Sequence, residues 1–304
     1  MYRANADRID TIFIGSSRTA RQLRPAVFDR VMADAGHPVT SFNLGIEGMR
    51  PPEDTMVLEQ ALANRTTPLK FLVVECNALQ SIMVDEDKWT TRAIYTHDAR
   101  RLGVYWRHIW SPSLDTAPGI DDYLKRVRDH SVEFVDHFRH FIWNYNRLSE
   151  GSASLTAAIT GRPRKQKSIP PQPDGFYIKE TDLKPLVGAE MKRYVKNLQA
   201  GKKVPPIPVL DDRPSQDDIA AKKALADRLG AKLVLVTAPF LREYSFVPES
   251  TDGILFLDFS NPNTWPDLYD PAGRLDYSHL NDAASEHYTR VIAGLIAASL
   301  APRP

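Results

Sequence analysis

Apolar residues recur in short uninterrupted runs separated by amphipathic stretches. The first run is Ile12-Phe13-Ile14, closed by Gly15. A continuous run of β-formers fits a strand buried on both faces, as in a parallel sheet. Leu23, Val27, Phe28 and Val31 then fall at helical spacing and predict a helix over 19–36, stopped at Gly36 ahead of His37-Pro38. Residues 39–44 predict a second strand, 45–52 a loop, 53–64 a helix, and 70–75 a third strand closing on Cys76-Asn77. This repeated β-loop-α rhythm predicts a parallel, doubly wound sheet with right-handed crossovers.

The rhythm stops after residue 84. Aromatics over 85–150, among them Tyr105, Trp106, Tyr123, Phe138 and Tyr145, sit at helical spacing and predict two or three helices forming a cap or lid. Residues 151–176 turn to Ser, Gly, Pro and basic residues, including the run 162–167, and read as an exposed, mobile loop. Residues 201–215 are again rich in Pro and Asp. A helix over 216–229, strands over 232–237 and 254–259, and a helix over 281–299 complete the pattern. The expected fold is α/β, three-layer α/β/α, with a parallel sheet of about five strands and a long helical insertion. Residues 1–84 and 216–304 would form the sheet domain, and 85–215 the mostly helical insertion.

Composition narrows the function. The 304 residues are 42% apolar and 25% charged, enough for one large α/β domain or two smaller ones. A formal net charge of +1 gives no global electrostatic case for nucleic acid. No apolar run approaches the ~20 residues that span a bilayer. The single cysteine, Cys76, excludes an internal disulfide and a Cys-based zinc cluster, and reads as a small buried apolar residue. His130, His137 and His140 share one helical stretch, but no Glu-x-x-His pattern accompanies them, so they read as a polar helix face. No cofactor or metal is expected.

Candidate chemistry gathers at strand ends. Ser16-Ser17 follow the first strand, where α/β sheets bind ligands. A serine there is either a helix N-cap or an exposed nucleophile. The Gly45–Gly48 loop, Asn77, and Asp276 with His279 fall on the same expected edge. Acyl chemistry needs a hydroxyl, a base, a group orienting that base, and oxyanion donors. Asp276 and His279, three apart before the last helix, can share one short turn. The plainer readings are a turn glycine for Gly48, a strand-end cap for Asn77, and a turn or cap residue for Asp276. Arg18 either holds an anionic sugar or phosphate, or faces solvent.

These blocks, in this order, resemble the SGNH (GDSL-type) hydrolase superfamily. Gly15-Ser16-Ser17 is similar to its Gly-Asp-Ser block, Asn43 to Gly48 to Asn-x-x-x-x-Gly, Val74 to Asn77 to the block ending in Asn, and Asp276-Tyr277-Ser278-His279 to Asp-x-x-His. The resemblance covers roughly 8–80 and 230–300 and implies an SGNH/flavodoxin-like sheet. It departs where Ser16 replaces Asp and Cys76 replaces Gly. The Gly-Ser-Ser form resembles the branch that moves acyl groups on cell-surface polymers, such as alginate O-acetylation and teichoic-acid D-alanine transfer proteins. The resemblance implies Ser17 as nucleophile, His279 as base and Asp276 as its orienting group. It implies an oxyanion hole of Ser17 N–H, Gly48 N–H and Asn77, with Ser16 and Arg18 as candidate substrate-binding residues. It further implies acyl transfer or deacylation, of O-acetyl groups, on an extracytoplasmic glycan. A membrane acyl-donor protein would be the partner, and an N-terminal helix ahead of this chain the periplasmic or cell-surface anchor. Two other readings stand: an esterase of small soluble esters, and a non-catalytic glycan-binding or assembly protein, the latter motivated by Ser16 and Cys76.

Overall fold

A computed structural model of the chain describes residues 2–63, 65–79, 96–109, 120–146, 172–177, 186–209, 213–242 and 244–301. The chain forms two compact units, one of Met1–Ala78, Pro170–Asp212 and Asp218–Pro304, the other of Leu79–Ile169 and Arg213–Asp217.

The strands of the first unit are β1 (Thr11–Ile14), β2 (Ser41–Asn43), β3 (Phe71–Glu75), β4 (Ile207–Val209), β5 (Lys232–Thr237), β6 (Tyr244–Phe246) and β7 (Ile254–Asp258). Five of them form one sheet in the order β2-β1-β3-β5-β7, with every pairing parallel. Register aligns Phe13 with Val73, and Val73 with Val234. Alternate residues therefore serve alternate faces. Ile12, Ile14, Leu72, Val74, Leu233 and Leu235 enter the core on one face; Phe13, Phe71, Val73, Val234, Val236 and Leu257 enter the core on the other.

The chain's main helices are α1 (Ser17–Gln22), α2 (Pro25–Asp34), α3 (Glu53–Leu62), α4 (Ala99–Ile109), α5 (Ile120–Asn146), α6 (Gly188–Lys203), α7 (Arg213–Arg228) and α8 (Asp282–Ala298). Leu58 and Leu62 of α3, with Ile219 and Leu225 of α7, cover the first face. Phe28 of α2, Tyr194 and Leu198 of α6, and Tyr288, Ile292 and Ile296 of α8 cover the second. This is the three-layer α/β/α arrangement with a five-stranded parallel sheet that the pattern predicts. Burial on both faces is why the strands read as continuous apolar runs.

Several elements differ from the sequence reading. The helix expected over 19–36 is two helices, broken at Leu23-Arg24. Pro25 occupies the first turn of α2, and Arg24 before it is extended (φ −101°, ψ 107°), as the residue preceding proline prefers. Residues Pro170–Asp212, read as insertion, group with the sheet unit, because Tyr194 and Leu198 of α6 are core residues there. The sparse apolar stripe Met191, Tyr194, Leu198 gave little signal against the charged remainder of α6. The parallel ribbon β4–β6 was also missed, since β4 lies in the proline-rich stretch around Pro205, Pro206 and Pro208. The part of the expected mobile loop that is described, 172–176, is fixed: Asn43 N–H donates to Asp174 O, and Phe176 is buried. Residues 147–171, including the basic run 162–167, lie outside the described residues.

In the second unit, His97, His137 and His140 are buried. His97 Nε2 lies 2.7 Å from His137 Nδ1, and the Tyr105 ring stacks on His137 at 3.7 Å. His137 and His140 are therefore interior residues rather than a polar face. Trp106, Tyr123 and Phe138 are exposed, so the aromatics there are only partly core. Among the described residues no His, Cys, Asp and Glu group could hold a metal, and no helix is long and apolar enough to cross a membrane.

A buried ionic cluster ties α3 to α7. Lys222 Nζ donates to Asp54 Oδ2 at 2.8 Å and also to Asp218, while Thr55 Oγ1 donates to Asp218 Oδ1 at 2.6 Å. Burial pushes the Asp54 carboxyl up to about 6, against the pull of Lys222 and with the push of Asp218. Replacing the cation leaves two carboxylates facing each other out of water. Lys222→Met is expected to cost about 3–5 kcal/mol of folding stability, read by urea unfolding at pH 7; a loss below about 1 kcal/mol would show the cluster to be dispensable.

Candidate active site

The order β2-β1-β3 means that the chain leaves β1 toward one side and returns on the other. The crevice at the carboxyl ends of β1 and β3 is the switch point where such sheets take ligands. Gly15 ends β1 there. A Cβ on Gly15 would stand 2.2 Å from Thr19 Oγ1 and 2.4 Å from Glu75 Cβ, so only glycine fits against β3. The chain then turns directly into α1, with Ser16 as N-cap and Ser17 as its first residue.

Ser17 meets a histidine from the far end of the chain. Its Oγ lies 2.8 Å from His279 Nε2. His279 Nδ1 lies 2.9 and 2.8 Å from the two oxygens of Asp276. Burial works to raise the Asp276 carboxyl, but the His279 hydrogen bond and charge, with the backbone N–H groups of Ser278 and His279, hold it below its ordinary value. Serine hydroxyl, imidazole and ionised carboxylate thus form one hydrogen-bonded line, and the serine is only half-buried.

The turn carrying Asp276 and His279 is held from three sides. Leu275 N–H donates to His279 O at 2.9 Å and closes the turn. Arg274, buried between the rings of Tyr194 and Tyr269, donates to Pro239 O and Leu268 O, each at 2.8 Å. Gln22 Nε2 donates to Ser278 O at 3.0 Å, fastening this turn to the helix that carries Ser17. Asn281 caps α8 immediately beyond, through Ala284 N–H.

Glu75, at the end of β3, organises the other side of Ser17. Ser16 donates to it through its N–H at 2.7 Å and its Oγ at 2.8 Å, Thr19 Oγ1 at 3.0 Å, and Arg18 Nε at 2.6 Å. Burial alone would raise this carboxyl. The Arg18 charge and the hydrogen bonds from Ser16, Asn77 and Arg18 outweigh it and hold the group at about 2. Sequence reasoning missed Glu75; its only signal was an acid closing an otherwise apolar strand.

The remaining candidates divide. Ser16 is buried and spent on Glu75 and on capping, accepting from Arg18 N–H at 3.3 Å, so it is a structural residue rather than a substrate contact. Arg18 does not face solvent: beyond Glu75, it donates to Asn77 Oδ1 at 3.1 Å and lies over the Phe240 ring at 5.2 Å. Asn77 therefore joins the site through Arg18 and Glu75. Gly48 is exposed, with φ +68°, at the third position of a β-turn closed by Met49 N–H to Ile46 O. That backbone conformation favours glycine. Its loop is tied to the site because Ile46 N–H donates to Gly15 O at 2.9 Å. Asn43, at the end of β2 where this loop begins, is pinned in turn through its Nδ2, which donates to Thr19 O and Leu23 O. Cys76 is buried, its thiol pushed up to about 12 by burial, and is an inert packing residue.

Comparisons with family models, with curated proteins and with solved structures found no match to this chain.

The depressed Glu75 carboxyl makes a signed prediction. Its stabilisation is present above the ordinary carboxylate value of 4.5 and is lost as pH falls from there through about 2. The shift corresponds to about 3 kcal/mol. Glu75→Gln is expected to lose roughly that much at pH 7 and to flatten the acid limb of stability between pH 4.5 and 2. Parallel acid limbs for the two proteins in urea titrations would contradict it.

Proposed function

We propose that the chain is a serine-dependent acyltransferase or deacylase of the SGNH type, acting on acyl esters, O-acetyl above all, of an extracytoplasmic glycan. The observation that carries this reading is the Ser17–His279–Asp276 line, with its 2.8 Å contacts on either side of the imidazole. The block resemblance supports the family and the glycan substrate.

In this reading Ser17 Oγ attacks the acyl carbonyl while His279 Nε2 takes its proton. Asp276 keeps the imidazole oriented with Nδ1–H toward itself and balances the charge it gains. His279 then returns the proton to the departing alkoxide. Water or a sugar hydroxyl, deprotonated by the same imidazole, releases the acyl group. The carbonyl oxygen develops negative charge and needs donors. Ser17 N–H lies in the first turn of α1, where no helix carbonyl reaches it. Gly48 N–H and Asn77 would complete the hole. A carboxamide has two N–H donors, so Asn77 can serve Glu75 with one and the oxyanion with the other. A membrane protein would supply the acyl group, and the protein would work at the periplasmic or outer face of the membrane.

Intact-mass analysis after treatment with a fluorophosphonate should give one adduct, mapped to Ser17 and absent from Ser17→Ala. No adduct on the folded wild type would refute the nucleophile. Asp276→Asn, which offers His279 the wrong partner, should lower kcat on 4-nitrophenyl acetate by up to about 10⁴-fold. Acyl turnover that rises when a sugar acceptor is added would mark transfer rather than hydrolysis.

A further inference from the structure

Helix α5 of the second unit turns one face toward α4. There the Tyr105 ring stacks on buried His137, and the Trp106 ring meets Phe134 edge-on at 4.6 Å. A second face bears Ile120, Leu124, Val127, Val135, Phe138 and Ile142, with Ser131 at its middle. Successive members of this row are 4, 3, 4, 4, 3 and 4 residues apart. At about 100° per residue, the seven positions fall within an arc of about 80°. Five of the six apolar side chains are exposed, Ile120 by 75%, Leu124 by 58% and Phe138 by 43% among them. A straight apolar stripe about 33 Å long, left in water, marks an interaction face.

The order of residues along the stripe says what fits it. Ile120 and Ile142 each lie eleven residues from Ser131, Leu124 and Phe138 each seven, Val127 and Val135 each four. Reversing the helix about Ser131 therefore lays the stripe on itself, apolar group against apolar group. A two-fold interface between identical chains requires a patch with this property. The centre suits it too. Serine is small, so two helices can approach closely there. Its Oγ already donates to Val127 O at 2.7 Å, so the hydroxyl has a partner within its own helix.

The charges beside the stripe obey the same reversal. One flank carries Asp121, Lys125, Arg128, Asp136 and Arg139. In an antiparallel two-fold pair this flank meets its own copy. Asp121, ten residues before Ser131, then comes level with the neighbourhood of Arg139, eight after it. Lys125 and Arg128, six and three before, bracket Asp136, five after. Acid meets base at each place. A helix built to lie on a membrane surface carries mainly Lys and Arg beside its apolar face, whereas this flank mixes both signs.

We infer that the stripe on α5 binds the same stripe of a second copy of this chain, antiparallel, with the two-fold axis at Ser131. The inference does not depend on the chemistry at Ser17. Sedimentation velocity of the full chain from about 1 to 100 µM tests it, the range suited to a helix pair of less than standard interface size. The wild type should pass from monomer to dimer over that range. Phe138→Glu and Leu124→Glu each put a charge on the stripe at an exposed position. Each should weaken the dimer by at least about tenfold and keep the wild-type circular dichroism spectrum. Ser131→Cys should give a disulfide-linked dimer under mild oxidation. Ile120→Cys should not, because its two copies would lie about 33 Å apart. Cys76, the one native cysteine, is buried and does not compete. The inference is overturned if the wild type stays monomeric at about 100 µM, if either folded Glu variant dimerises like the wild type, or if Ile120→Cys cross-links as readily as Ser131→Cys. A monomer that pellets with phosphatidylcholine–phosphatidylglycerol vesicles, and ceases to do so in Phe138→Glu, would also overturn it and give the stripe to a membrane surface.

Discussion

The site depends on one buried carboxylate. Glu75 sits at the end of a central strand, out of water, and could not remain ionised there unless donors were brought to it. They come from the turn that holds Ser17: the Ser16 backbone and hydroxyl, the Thr19 hydroxyl and the Arg18 guanidinium. Meeting that charge fixes the start of α1 against β3. Gly15 permits the approach by having no side chain to collide with Glu75. The position of Ser17 follows from an electrostatic requirement on its neighbours, not from contacts of its own.

His279 reaches Ser17 across 262 residues of chain. What brings them together is sheet order combined with two polar ties. β5 and β7 extend the sheet beyond β3, and α8 returns across the face shared with α2. Thr289 of α8 then donates to Gln22 O and accepts from Arg24 N–H at the break between α1 and α2. Without the break that Pro25 enforces, those groups would be committed to helix. Gln22 Nε2 finishes the attachment at Ser278 O. A proline-induced interruption thus serves to dock the turn that carries the base.

The parts legible in the sequence were those with a strong local period. Buried strands announced themselves as apolar runs, and the Asp276–His279 spacing suggested one turn. The unread parts were decided by distant partners. Nothing local marks Glu75 as the hub that joins Ser16, Arg18, Thr19 and Asn77. Arg18 reads as a surface arginine in a first helical turn, and only the fold turns it inward onto Glu75 and Phe240. Helix α6 carries so few apolar residues that its burial rests on Tyr194 and Leu198, and on the Tyr194 hydroxyl donating to Tyr269 O. The ribbon β4–β6 pairs segments some 35 residues apart, one of them proline-rich, a long-range choice that no window on the sequence contains.

The two departures from the SGNH pattern have causes in this network. An aspartate at position 16 would bring a second carboxylate within hydrogen-bonding distance of Glu75, and like charges at that range cannot both ionise cheaply. Serine instead donates twice to the same carboxylate. The carboxylate beside the nucleophile's turn stands on the facing strand, where Arg18 compensates it. Cys76, in the other departing position, fills space against the ribbon, its Sγ 3.7 Å from Phe246 O. A glycine there would leave a gap beside β6. Ser16 and Cys76 therefore serve packing and charge balance around the site, beside the hydrogen-bonded hydroxyl, imidazole and carboxylate of Ser17, His279 and Asp276.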